Sequence, residues 1–300
     1  MKSRKSLVDV LGVALGVLAI ALVALSLVYL IGYRPLWKGF RYLGPWHMGW
    51  GWGSWGRGWE SEEATEEVRG GFTRLAVSNV AGPIQIEGWD QDYIEVHYVK
   101  QARTRQALAN FPVEMDKSGD TLSIRPVYKP LAGPMFGSVS FEIKVPSSLA
   151  YVKARNVSGG ISLSHLASDV EQELETVSGS IETERSGDLR AKSTSGSIEF
   201  SFSGRRLEAN SISGRIEGQL RNLAKDGSVD IQTVSGSVNL KSFQGLDASL
   251  KLSSASGSIS CDFPVQVTEK KEHRLEGKIG QGSVPFNVKT VSGSIQLERD

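Results

Sequence analysis

The sequence predicts an all-β fold: a β-solenoid of about 20-residue repeats with a Ser-Gly corner, preceded by a single transmembrane helix. Two observations carry the solenoid and a third carries the helix. A short motif recurs at VSGGISL (157–163), VSGSIET (177–183), TSGSIEF (194–200), ISGRIEG (212–218), VSGSVNL (234–240), ASGSISC (255–261) and VSGSIQL (291–297), with an outlying VAGPIQI at 80–86. Apolar and polar residues alternate on both sides of each copy, as they do along a strand with one buried face. Residues 10–33, finally, contain no charged residue at all.

At 1.5 Å per residue a helix over 10–33 is about 36 Å long, more than the roughly 30 Å of bilayer hydrocarbon. A cleaved signal peptide would show an apolar stretch of only about 7 to 15 residues, so the length favours an uncleaved anchor. Lys2, Arg4 and Lys5 before the helix are matched by Arg34, Lys38 and Arg41 after it, which leaves the positive-inside rule nearly tied. The very short leading tail, 1–9, is expected to stay in the cytoplasm with the rest of the chain extracytoplasmic.

Residues 34–71 form the expected juxtamembrane linker. Its first part interleaves Trp37, Trp46, Trp50, Trp52, Trp55 and Trp59 with glycines. Indole rings favour the headgroup layer, so these six are the expected membrane-interface residues and the lipid bilayer an expected partner. His47 and Met48 lie in the same stretch, but one His–Met pair in a glycine-rich loop is no haem site. The acidic run Glu60, Glu62, Glu63, Glu66 and Glu67 would be repelled by anionic lipid and marks departure from the surface. The folded domain is expected over 72–300, with an N-terminal β cap at 72–151 and the repeats at 152–300.

Within the repeats the glycines Gly82, Gly159, Gly179, Gly196, Gly214, Gly236, Gly257 and Gly293 align. Three positions before the residue that precedes Ser-Gly the side chain is always apolar, from Val77 and Ala154 to Val288. Just before that residue it is small and polar: Asn79, Asn156, Thr176, Ser193, Ser211, Thr233, Ser254 or Thr290. The apolar phase slips by one residue there, and a strand with a buried face tolerates such a slip only if the chain turns. Ser-Gly is therefore a corner. Stacking places Ile181, Ile198, Ile216, Val238 and Ile259 in one inner column and the Asn/Ser/Thr residues in a hydrogen-bonding ladder.

Composition narrows the chemistry. Lys and Arg number 34 against 33 acidic residues, for a net charge of +1, so no global field draws nucleic acid. A single cysteine and four scattered histidines supply no metal-ligand spacing, and no metal or cofactor is expected. A serine nucleophile needs one activated Ser, whereas here Ser recurs at almost every corner, so no catalytic residue is assigned. Glu182, Glu199 and Glu217 share one repeat position and form a possible surface ladder, with Arg215 as a neutralising neighbour. Cys261 stands where other copies place Leu163, Phe200, Leu240 and Leu297, and is expected to be a buried apolar residue.

The V-S-G-S-I units, the FEIKVPSSL strand (Phe141 to Leu149) and the closing IGQGSVPFNVKTVSGSIQL (Ile279 to Leu297) together resemble the bacterial DUF4097 family, described as adhesins, over about Phe72 to Asp300. The resemblance implies a β-solenoid-like, envelope-associated domain with no catalytic residues to carry over. The adhesin label is an analogy of fold. The expected function is a non-enzymatic, membrane-anchored protein for binding or scaffolding at the cell envelope, its partner another envelope protein or a glycan. The alternative is a β-helical enzyme acting on envelope polysaccharide, which would need convergent carboxylates.

Overall fold

The computed structural model describes residues 59–128, 137–243 and 245–299. Among them no helix is long and apolar enough to cross a membrane. The span expected over 10–33 and the tryptophans from Trp37 to Trp55 lie outside the described residues, whereas Trp59 lies inside them, exposed.

The described chain is one continuous sheet of 21 strands, bent at each Ser-Gly corner into two facing layers. β1 (Glu60–Val68) opens it. β2 (Arg74–Ala81) turns at Gly82 into β3 (Ile84–Trp89). Next come β4 (Ile94–Ala102), the short helix α1 (Arg105–Leu108), β5 (Val113–Ser118), β6 (Thr121–Pro126) and β7 (Gly137–Pro146). Repeats follow as β8 (Tyr151–Ser158) into β9 (Ile161–Ser164), β10 (Glu171–Ser178) into β11 (Ile181–Ser186), and β12 (Leu189–Ser195) into β13 (Ile198–Ser213). β13 and β14 (Ile216–Ser235) are long because each supplies the second strand of one rung and the first of the next; β14 then turns into β15 (Val238–Ser242). The chain closes with β16 (Ala248–Ser256) into β17 (Ile259–Cys261), the hairpin β18 (Gln266–Lys271) and β19 (Arg274–Ile279), and β20 (Val284–Ser292) into β21 (Ile295–Arg299).

Successive rungs pair in parallel and in register, Ile181 with Ile198 and Ile198 with Ile216 in the second layer, Leu174 with Ala191 and Ala191 with Ala209 in the first. The column Ile84, Ile161, Ile181, Ile198, Ile216, Val238 and Ile295 is buried throughout. The corners are stitched by backbone: Gly179 N–H donates to Ser195 O and Gly196 N–H to Ser213 O, each at 3.0 Å. A side chain has no room there, because a Cβ on Gly179, Gly196 or Gly214 would sit 2.1 Å from the carbonyl oxygen of the glycine one rung before.

The Asn/Ser/Thr row is buried at every rung, but its partner is the backbone and not the next side chain. Asn156 Nδ2 donates to Gly82 O at 2.8 Å, Thr176 Oγ1 to Gly159 O at 3.4 Å, Ser254 Oγ to Gly293 O at 3.1 Å and Thr290 Oγ1 to Gly236 O at 3.3 Å. Each such bond satisfies a buried carbonyl at the preceding corner, which is what makes a small polar residue suit the one place where the chain bends. Ser211 and Thr233 occupy the same place with hydroxyls that have no partner among the described residues.

The ends differ from a simple sequential stack. The rung β20–β21 inserts between β14–β15 and β16–β17, so Val238 meets Ile295 and Ile295 meets Ile259. Ile259 therefore sits at the end of the column and is only partly buried, as is Cys261, which is not the fully buried residue its repeat position implied. At the other end β2–β3 is an interior rung: β6 and β7 pair outside it in parallel, without a Gly motif, and β5, β4 and β1 extend the layers antiparallel. Antiparallel strands finish both ends, β19 and β18 doing so beyond β16.

The sheet begins at Glu60, earlier than the start near Phe72 that the acidic run implied. All nine residues of β1 pair with β4. Two of its glutamates are held by donors on β4: Glu62 by Lys100 Nζ at 2.7 Å, with that Lys buried, and Glu66 by the Tyr98 hydroxyl at 3.4 Å. Charge on an outermost strand also prevents another chain from pairing with it.

Candidate functional site

The two outward faces of the stack carry opposite charge logic. On the first layer, Lys153, Glu173, Arg190 and Glu208 follow one another from rung to rung in register, alternating in sign. Lys153 Nζ lies 2.7 Å from Glu173, Arg190 Nε 2.9 Å from Glu208, and Arg155 Nε 3.0 Å from Glu175. Opposite charges in cross-strand positions stabilise a sheet, so these four rungs neutralise one another, although Asp230 follows Glu208 in register with like sign.

Tyr151 joins the network, its hydroxyl donating to Glu173 Oε2 at 2.6 Å while the Arg74 guanidinium lies 4.0 Å over its ring. Burial, reinforced by the bond to Glu173, pushes the phenol up to about 12. For Glu173 burial acts to raise the pKa, but hydrogen bonds from Lys153 and Tyr151 outweigh it and hold the carboxyl below its usual range. A carboxylate with a lowered folded-state pKa contributes stability above its unfolded value and loses it as pH falls through the folded one. Glu173→Gln is thus expected to lower the urea midpoint at pH 7, and the gap to the parent should close below about pH 4. A gap unchanged at pH 3 would exclude the ion pair as its source.

On the second layer the outward lane runs Glu142, Gln85, Ser162, Glu182, Glu199, Glu217, Asn239, Gln296, Ser260. Glu182, Glu199 and Glu217, the residues that shared a repeat position in sequence, occupy consecutive rungs here. Arg215 Nη1 reaches Glu217 at 3.0 Å. Glu182, Glu184 and Glu199 make no ion pair among the described residues. With strands about 4.8 Å apart, like charges in register repel, so the central lane is destabilising where the opposite face is stabilising.

The same stretch is concave. A groove of about 520 Å³ is lined by Glu182, Glu184, Glu199, Ser201, Glu217, Gln219, Arg221, Asn239 and Lys241, with Thr183, Phe200 and Gly218 in its floor. Arg221 Nε donates to Ser201 Oγ at 2.7 Å, and its guanidinium lies 5.2 Å from the ring centre of the exposed Phe243. Asn239 has a buried Oδ1 with no hydrogen-bond partner among the described residues. Arg221, Asn239 and Phe243 were not singled out from sequence: Asn239 varies at its repeat position, and Arg221 and Phe243 lie outside the motif.

A second, smaller hollow of about 360 Å³ lies beside the opposite corner, between Trp89, Pro146, Leu149, Leu166 and Val170. The loop above it is tightly held, since a Cβ on Gly88 would meet His165 O at 2.2 Å. The corner glycines, by contrast, are structural: each faces the carbonyl of the rung before and leaves no space for a ligand. Among the described residues no group of three or more His, Cys, Asp or Glu could hold a metal ion.

The family model for Toastrack DUF4097 matches residues 137–298. A search of curated proteins finds no match. Among solved structures, one from Clostridium sporogenes described as a "putative cell adhesion protein" is 10% identical, covering 80% of this chain and 100% of its own, with a TM-score of 0.37. One from Bacteroides fragilis described as a "putative adhesin" is 11% identical, covering 79% and 97%, with a TM-score of 0.40. A third, from Parabacteroides distasonis, described as a "putative lipid binding protein", is 13% identical over 79% and 96%, with a TM-score of 0.27.

Proposed function

The chain belongs to the Toastrack DUF4097 family, and from that premise we propose that it is a non-enzymatic protein, anchored in the membrane by the helix over 10–33, that binds or scaffolds components of the bacterial cell envelope on the outer side. The observation that carries the reading is the outward face of the second layer. There, rigid parallel rungs hold polar side chains in a fixed array, and Glu182 and Glu199 make no ion pair among the described residues although the other face pairs Lys153 with Glu173 and Arg190 with Glu208. A stack whose neighbours are all in register presents such an array with little conformational cost on binding. The anchoring segment supports the placement by its length and lack of charge, and its tryptophans by their preference for the headgroup layer.

Photo-crosslinking from groove positions in native membranes, followed by identification of what is joined, tests the binding reading directly. Protease added to intact, wall-stripped cells is expected to shorten the chain from its C-terminal side; full protection would reverse the orientation. The groove's carboxylates also keep the polysaccharide-cleaving alternative testable. Reducing ends released from a glycan polymer, and lost in Glu199→Gln, would replace binding with catalysis.

A further inference from the structure

Resting on that binding reading, we infer that the outward groove of the second layer is a site for a linear, neutral or amino-bearing polysaccharide, laid across the strands so that its sugars follow the rungs. Along the parallel rungs every position of the lane, from Glu142 to Ser260, carries a side-chain oxygen and none is apolar or basic; His97 of the antiparallel β4 follows beyond Glu142. The rungs repeat at about 4.8 Å, close to the advance of one sugar ring in an extended chain, so one acceptor faces each ring's hydroxyls or amine. A periodic surface of this kind matches a periodic ligand.

Two further features lie in the groove or beside it. Phe243, 43% exposed, stands beside the groove through its contact with the lining residue Arg221, and offers a flat apolar face to the C–H side of a pyranose. Glu182, Glu184 and Glu199 are without ion-pair partners among the described residues, and the lining sets four carboxylates against two cations, Arg221 and Lys241, so the groove is net negative and favours hydroxyl and ammonium donors over anionic polymers and phosphate headgroups. A basic peptide would be drawn by the same carboxylates. It fits less well, because the lane beyond Glu217 is uncharged amide and hydroxyl, and the groove has no separate apolar pockets to receive alternate side chains.

The full-length protein in nanodiscs would be titrated calorimetrically with the hexamers of glucosamine, N-acetylglucosamine and galacturonate, and with hexalysine. Both glucosamine-type hexamers are expected to bind, the amino form more tightly, and galacturonate not at all. E182Q with E199Q should weaken the glucosamine hexamer about tenfold and the N-acetyl hexamer less. Phe243→Ala should weaken both, and Lys251→Gln on the other layer neither. Hexalysine binding as tightly as the glucosamine hexamer with the same carboxylate dependence, or sugar binding indifferent to all the groove variants, would overturn the inference. No sugar binding alongside crosslinks to an envelope protein would reject the sugar site and retain the binding function. Binding followed by cleavage would retain the sugar site and reject the non-enzymatic reading.

Discussion

Gly196→Ala is expected to cost about 4 kcal/mol or more, enough to leave a domain of ordinary stability unfolded or nearly so. Two effects add. The backbone at Gly196 has φ +146, which side-chain-bearing residues rarely adopt. The new methyl would also lie 2.1 Å from Gly179 O and 2.6 Å from its carbonyl carbon, less than any real contact. Relief by a shift of the chain is blocked, because Gly179 is itself seated on Gly159 and Gly214 on Gly196 at the same separation. Displacing one corner displaces its neighbours. Gly245→Ala is the control: a Cβ there meets nothing within 4 Å, and its urea midpoint should match the parent's. If the two variants unfolded at the same denaturant concentration, the close-stacked corner described here could not be correct.

The second large effect concerns the inner column. Ile198 is fully buried between Ile181 and Ile216, so Ile198→Asp places a carboxyl among aliphatic side chains, at a cost of several kcal/mol. Ser197, one residue earlier, is exposed and its side chain makes no hydrogen bond among the described residues, so Ser197→Ala should cost under about 0.5 kcal/mol. The same substitution also tests the order of the rungs. Ile295 is fully buried between Val238 and Ile259, whereas Ile259 is partly exposed at the column's end. Ile295→Asp is therefore expected to be as damaging as Ile198→Asp, and Ile259→Asp distinctly milder. A sequential stack would give the reverse ranking, with Ile295 terminal and Ile259 interior. Thermal melts of the three variants decide between them.

Much of this architecture was legible in the chain itself. Alternation with period two marks strands from neighbouring residues alone, and a phase slip followed by glycine marks a corner for the same local reason. The inward isoleucines, the buried Asn/Ser/Thr row and the rung-to-rung alignment of Glu182, Glu199 and Glu217 all follow from that pattern once copies stack. What the repeat could not encode is the order of stacking. Each copy presents nearly the same edge, so nothing local distinguishes β20–β21 as an interior rung from β16–β17 as a terminal one; the choice is made by the hairpin of β18 and β19, which pairs with β16 and finishes that end. The strand at Glu60–Val68 was hidden for a related reason. An edge strand with most residues exposed needs no apolar alternation, and its glutamates become strand residues only because Lys100 and Tyr98 stand opposite. Charge pairing was equally a matter of tertiary structure. Lys153, Glu173, Arg190 and Glu208 look no different in sequence from Glu182, Glu199 and Glu217, and only the register of the two layers puts alternating signs side by side on one face and like signs on the other, so the polar groove is a property of the stack and not of any repeat within it.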